Sequence, residues 1–286
     1  MRSILAVFVL FAGLASSASA QTPVDTCGQR VANDEVGVLT GDLVCPAATT
    51  AITLGDGTLD LNGYSIEAPD GWGVWCEAGS KCIVHGGGEG GAAGAIRNAQ
   101  AGIYLQRHTR LEADGVAIEN CAAGIEAENW SSGRRGSKAL LTDVSVTGSE
   151  DVAVIVGNLT ATNVVIEDNP GDGILGATMG ILRAEGLTVS GNATSAGCDV
   201  YGCSGIDVGK VKGRSLIVTG NAGVGIHALN VTLRDSTVTG NVRAGAGRDL
   251  VVAEAPMVRN VECNFSAGWG SQSSVDWGVC AFDDQP

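Results

Sequence analysis

From residue 58 onward the chain alternates Val, Ile, Leu and Thr with polar residues in runs of three to five, and each run ends in a Gly or Asn turn. A two-residue period predicts short strands; no stretch shows the 3.6-residue apolar period of a helix. Thr188-Val189-Ser190-Gly191-Asn192 returns as Val218-Thr219-Gly220-Asn221 and as Val238-Thr239-Gly240-Asn241. Weaker copies end at Ser149 and Asn169. A second phrase, Gly-Ile, follows most copies, at Gly124-Ile125, Gly173-Ile174, Gly205-Ile206 and Gly225-Ile226. A strand–turn–strand unit repeated in this way predicts a solenoid.

Alignment on the turn gives one column: Cys121, Ser149, Asn169, Asn192, Asn221, Asn241, Asn264. Its spacings of 28, 20, 23, 29, 20 and 23 define a unit of 20–23 residues, with insertions around 130–137 and 195–203. Asn over Asn and Ile over Ile is the pattern of a parallel coil in register. A sandwich has no reason to repeat its turns identically. The predicted class is all-β, a parallel β-helix of roughly 9–10 coils, each about 4.8 Å above the last.

The columns assign roles. Asn is expected at a bend in the αL conformation, bonding its neighbours along the column. The Gly before Ile is expected at a second bend with positive φ. Ile125, Val154, Ile174, Ile206 and Ile226 form one predicted inward stack, and Val146, Ile166, Val189, Val218, Val238 and Val261 another. Cys121, in the Asn column, reads as a buried thiol.

Residues 1–20 read as a signal peptide, with Arg2, an apolar run from Ile4 to Leu14 and the small residues Ala18-Ser19-Ala20. The run is shorter than the roughly 20 residues of a membrane span. The expected product is a secreted or periplasmic protein without integral membrane association. It forms one domain over 21–286, with an entry cap and first coils in 21–70 and a terminal cap in 265–286. Nine cysteines suit that compartment. The pairs close in sequence are Cys27 with Cys45, Cys76 with Cys82, Cys198 with Cys203, and Cys263 with Cys280, although spacing alone does not prove connectivity. With no Cys-x-x-Cys and no His beside any pair, zinc is not indicated.

Seventeen Lys and Arg against 31 Asp and Glu give a net charge of −14, and Arg2 is the sole charged residue of the first 20. Such a chain disfavours nucleic acid and anionic lipid. An acidic polysaccharide would bind it through bridging Ca²⁺.

Three features carry a family resemblance. They are Cys27…Leu39-Thr40-Gly41-Asp42-Leu43…Cys45, Leu59-Asp60-Leu61-Asn62-Gly63-Tyr64-Ser65-Ile66, and the Asn-turn coils. Together they resemble bacterial secreted right-handed parallel β-helix proteins of the pectate-lyase-like superfamily, over nearly all the mature chain. The resemblance implies a right-handed coil of three short parallel sheets with carbohydrate handled on one outer face. It spans lyases, glycosidases, epimerases and members without a reaction. In the pectate lyases Ca²⁺ held by acidic residues neutralises the uronate carboxyl, and Arg or Lys serves as base.

The residue after each stacked aliphatic gives a predicted outward row: Tyr104, Glu126, Ile155, Leu175, Asp207, His227, Val251. Two polar clusters stand on it. Tyr104 and Glu126, with Arg107, His108, Glu128 and Trp130 close in sequence, are candidate substrate-binding residues. Asp207, His227 and Lys210 are candidate catalytic residues, with Lys212 and Arg214 as further substrate contacts. Each cluster holds a carboxylate, a base and a positive group, the parts needed to abstract a proton beside a carboxyl. The apolar Ile155 and Leu175 separate the two. Lys212 with Arg183, and Arg214 with Arg234, share further columns. The expected function is binding of an extracellular polysaccharide, with or without its cleavage. A non-catalytic structural or cell-surface role is the alternative.

Overall fold

The computed structural model describes residues 21–87, 93–128, 136–194, 203–241, 249–254 and 256–263, and the backbone of 266–268. Trp130, Cys198, Asn264, Cys280 and the segment 1–20 lie outside them. Every pairing between the named strands is parallel, coil upon coil. Sheet 1 runs from Gln21–Val24 through Val36–Leu39, Lys81–His85, Arg110–Asp114 and Ile181–Glu185 to residues 257–259. Sheet 2 runs from Leu43–Val44 through Ser65–Glu67 and Val165–Glu167 to 261–263. Sheet 3 runs from Gln29–Val31 through Trp72–Cys76, Ala101–Leu105 and Ala123–Ala127 to Ser266–Gly268. The chain visits the three sheets in turn, and parallel crossovers of L-residues wind right-handed. The fold is a right-handed parallel β-helix, and no described residue is helical.

Strand alternation sends one set of side chains inward at every level. In sheet 3 the interior row is Ile52, Val74, Ile103, Ile125, Val154, Ile174, Ile206, Ile226 and Leu250, each at most 1% exposed. In sheet 2 it is Ile66, Ile96, Ile118, Val146, Ile166, Val189, Val218 and Val238. Burying each aliphatic contributes about 1.5–3 kcal/mol. The end of the sheet 2 row differs from the sequence expectation. Val238 pairs with Cys263, and Val261 pairs with Ser236, so the last coil is shifted by two residues.

The Asn column is a hydrogen-bonded ladder, and it is interior. Asn169, Asn192, Asn221 and Asn241 are at most 1% exposed. Each donates twice to the next rung: Asn169 to Asn192 Oδ1 from N (3.2 Å) and Nδ2 (2.7 Å), and Asn192 to Asn221 Oδ1 at 3.0 and 2.9 Å. Ser149 N–H joins at the upper end, at 2.8 Å from Asn169 Oδ1. At the lower end the partner of Asn241 is the carboxylate of Asp249, at 3.1 Å from N and 2.9 Å from Nδ2.

Two local expectations are corrected here. The ladder residues do not take the αL conformation. The residue before each one does, as in Asp168 (φ 54°), Gly191 (66°), Gly220 (65°) and Gly240 (68°). That bend turns the following Asn into the core. The Gly before each Ile has no positive φ either. Its role is space, because a Cβ on Gly205 would stand 2.8 Å from Asn221 Nδ2, and one on Gly225 2.6 Å from Asn241 Nδ2.

Two expected disulfides are formed, Cys27–Cys45 and Cys76–Cys82. Cys203 and Cys263 are also disulfide-bonded. Cys121 is free and buried.

Candidate functional site

The outward row of sheet 3 has the predicted register. Tyr104 lies beside Glu126, then come Ile155, Leu175, Asp207, His227 and Val251. The row also extends upstream through Trp75 and Thr53, which sequence reasoning missed. The signal was present, since Trp75 follows the interior Val74 as Tyr104 follows Ile103.

In the first cluster, Tyr104 and Glu126 are direct neighbours on adjacent coils. Arg107 Nε donates to Glu128 Oε1 at 3.0 Å, one coil away. Burial raises the Glu126 carboxyl above its ordinary range, and the negative charge of Asp151 adds to the effect. The Tyr104 phenol is raised by burial, then by Glu128 and Glu126, against the opposing charge of Arg107. His108 sits at the turn leaving sheet 3, with φ 60°. Trp130 lies outside the described residues.

In the second cluster, His227 Nδ1 lies 3.1 Å from Asp207 Oδ1, both half-buried. A cleft of about 240 Å³ opens beside them, lined by Leu175, Thr178, Asp207, Gly209, His227 and Leu229 among others. The neighbouring Asp172 accepts a 2.6 Å hydrogen bond from Ser204 N–H. Burial pushes its carboxyl up to about 6, and the charge of Asp207 adds to this, against the Ser204 bond. Asp172 was absent from the sequence-derived candidates. It follows the turn, four residues past Asp168, with nothing local to mark it as half-buried.

The chain turns from sheet 3 into sheet 1 at Gly209, where a Cβ would overlap the Thr178 carbonyl. Lys210, Lys212 and Arg214 follow the turn and so belong to sheet 1, and Lys210 does not line the cleft. Lys212 pairs in register with Arg183, and Arg214 with Arg234, which in turn pairs with Arg259. All five side chains are exposed. Arg214 approaches Asp235 at 3.9 Å, and among the described residues Arg183, Lys212, Arg234 and Arg259 form no ion pair within 4.0 Å. The other half of the same sheet is different. There Lys81 and Arg110 both pair with Glu112, at 2.9 and 2.7 Å. Lys81, Arg110 and Lys138 share one register column there, whereas in the later coils the column of Arg214, Arg234 and Arg259 follows Glu185.

Among the described residues no three of His, Cys, Asp and Glu converge as a metal-binding group. No described helix is long and apolar enough to cross a membrane.

No family model matches the chain, and no curated protein does. The solved structure of pectate lyase Pel9A superposes with a TM-score of 0.43 at 13% identity, over 81% of this chain and 71% of that one.

Proposed function

We propose that the protein is exported and binds an anionic extracellular polysaccharide. The polymer runs from the Asp207–His227 cleft over the Gly209 bend onto the basic row of sheet 1. The observation that carries this reading is the register of Arg183 with Lys212 and of Arg214 with Arg234 and Arg259. Coils spaced about 4.8 Å apart hold these charges in a fixed array. At physiological salt a charge is screened beyond about 8 Å, so the contact is set by the row itself, where Glu185 and Asp235 stand beside Arg214. Arg pairs with carboxylate or sulfate groups through two parallel hydrogen bonds.

The cleft supports a chemical step on the same polymer. With the proton of His227 on Nδ1, directed at Asp207, its Nε2 is the basic nitrogen. Nε2 takes the proton beside a uronate carboxyl, the electron pair forms the new C=C bond as the C–O bond to the glycosidic oxygen breaks, and the leaving oxygen takes a proton from the imidazolium or from water. Asp207 stabilises the imidazolium that results, and the basic row neutralises the carboxylates on either side.

Binding to a panel of uronate and sulfated polysaccharides tests the first part. Affinity that falls with salt, and that is lost when Arg214 and Arg234 are both changed to Glu, is the expected result. No binding at low ionic strength would overturn it. Ultraviolet absorbance from unsaturated chain ends, with and without Ca²⁺, tests the second. Turnover abolished in His227→Ala is expected. Binding with no change in polymer size or composition would leave the non-catalytic reading.

A further inference from the structure

Three aromatic rings stand together on the outer face of sheet 3, well upstream of the Asp207–His227 cleft. Trp72 and Trp75 lie on Trp72–Cys76, and Tyr104 is the register partner of Trp75 on Ala101–Leu105. Trp75 and Tyr104 have ring centroids 4.7 Å apart and planes inclined by 31°. Trp72 meets Trp75 edge-on at 4.6 Å and Tyr104 at 5.8 Å. The interior at these levels is already filled by Ile52, Val74 and Ile103. The rings are half-buried and form an aromatic platform on the outer face of sheet 3.

A cleft of about 550 Å³ lies at the bend between sheet 2 and sheet 3, just ahead of the strands that carry these rings, and the rings themselves do not line it. Asp70, Asn98, Gln100, Asn120 and Glu150 line it, and all five are exposed. Asn98 and Asn120 follow the register pair Arg97 and Glu119 on successive coils, both in the αL conformation (φ 51° and 54°), and Asp70 (φ 56°) takes it in the bend of the preceding coil. Trp72 comes two residues after Asp70, and Gln100 precedes Ala101, the register partner of Trp72. The volume lies within the range of about 300–1,000 Å³ typical of ligand sites.

The two surfaces complement the two sides of a sugar. The axial C–H face of a pyranose ring is apolar and weakly positive, and it suits the negative face of an aromatic ring. Its hydroxyls need donors and acceptors together, which Asn, Gln and carboxylate side chains supply. The charge decides which sugar. No Lys, Arg or His lines the cleft, whereas Asp70 and Glu150 do, and Glu126 stands one coil beyond Tyr104. A uronate or sulfated ring in the cleft would face Asp70 and Glu150, and Arg107, beside Tyr104, is already paired with Glu128.

We infer that Trp72, Trp75 and Tyr104, with the adjoining Asp70–Asn98–Asn120 cleft, form a second glycan-binding site, selective for an uncharged pyranose chain. It is separate in place and in charge from the basic row. The protein then engages two polysaccharide chemistries at once, neutral on its early coils and anionic on its later ones.

Isothermal titration calorimetry of the full mature chain tests this, with cellohexaose, xylohexaose and mannohexaose as neutral probes and hexagalacturonate as the anionic one. At least one neutral probe is expected to bind. Trp75→Ala should weaken it about tenfold or more, as for aromatic anchors elsewhere. Tyr104→Phe, which keeps the ring, should bind as the parent does. Asn98→Ala and Asn120→Ala, on the exposed cleft, should each weaken binding without a change in thermal midpoint, which keeps the test valid if Trp75→Ala does not fold. The Arg214→Glu, Arg234→Glu double variant should leave neutral binding unchanged, so the two sites fail independently. Absence of binding by all three neutral probes would overturn the inference. So would neutral binding that survives both Trp75→Ala and Asn98→Ala, or hexagalacturonate binding that is lost in Trp75→Ala.

Discussion

Asn221 Oδ1 accepts two hydrogen bonds from Asn192, one from its backbone N–H at 3.0 Å and one from its side-chain amide at 2.9 Å. Asn221 in turn donates to Asn241 Oδ1 from N (3.2 Å) and Nδ2 (2.8 Å), and Nδ2 also meets Val189 O at 3.1 Å. Each amide thus serves two coils, in a place that water does not reach. Asn221→Ala would remove the acceptor of Asn192 N–H, leave Asn192 Nδ2 with Ile166 O alone, and take this donor from Val189 O. A buried polar group without a partner costs about 1–3 kcal/mol. A loss of about 3–5 kcal/mol in chemical denaturation is expected. A loss below about 1 kcal/mol would show that the ladder is not a stabilising element.

The glycines facing the ladder are needed for space. Gly205→Ala would place a methyl group 2.8 Å from both Asn221 Nδ2 and the Gly225 carbonyl. Overpacking of this kind costs about 1–3 kcal/mol. Ala153, in the same column beside Gly124 and Gly173, shows that one level has adjusted to a methyl group. Gly41→Ala is the control, since a Cβ there meets nothing within 4 Å. Thermal melts should show a lower midpoint for Gly205→Ala only. Equal midpoints would mean that the coil relaxes around the methyl group.

Asp172 makes stability depend on pH. Its folded pKa of about 6 lies above the 3.8 of the free side chain, so the native state holds the proton longer. Its unfavourable contribution is absent below about pH 4, grows as pH rises, and is complete above about pH 6. Asp172→Asn keeps the acceptor for Ser204 N–H and removes the charge. The variant should be more stable than the parent by on the order of 2 kcal/mol at about pH 8, with no gain at about pH 4. The same difference at both pH values would contradict this account.

Cys121 should be inert in the native protein. Burial pushes its thiol up to about 11, and Sγ–H is directed at Glu119 O at 3.5 Å. The thiolate is the reactive form, so little is present near neutral pH. Iodoacetamide at neutral pH should label the Cys121 peptide only after denaturation, as read by mass spectrometry. Labelling of the folded protein at the rate of a free thiol would refute the assignment.

Much of this fold can be read along the chain, for a simple reason. Strand alternation and a repeat of 20–23 residues together place like residues on like, so the columns follow from counting. The row from Tyr104 to Val251 and the order of the Asn ladder were accessible in this way, and the two described disulfides join cysteines close in sequence, whose connectivity spacing alone left open. Counting stops working where the period breaks. Asp249 continues the ladder only eight residues after Asn241, so no repeat announces it. The final coil slips by two residues for the same reason, and Val261 leaves its expected column.

Other features depend on the path of the chain in space. Alignment ranks residues along a column, but it does not say which residue of a turn takes the strained backbone. Asp168 and the glycines do so, and the Asn beside each is thereby turned inward. It does not say that a glycine is needed because an amide from the next coil presses on it. Nor does it say on which side of a bend a charge falls, and Lys210 is separated from Asp207 by the single turn at Gly209. Trp72 and Trp75 look in sequence like two apolar residues of one strand. Only the arrival of Tyr104 at the same level, on the outside of the coil, makes them a surface. Periodicity is a property of the chain, whereas proximity between coils and exposure at a corner arise only when the chain is wound.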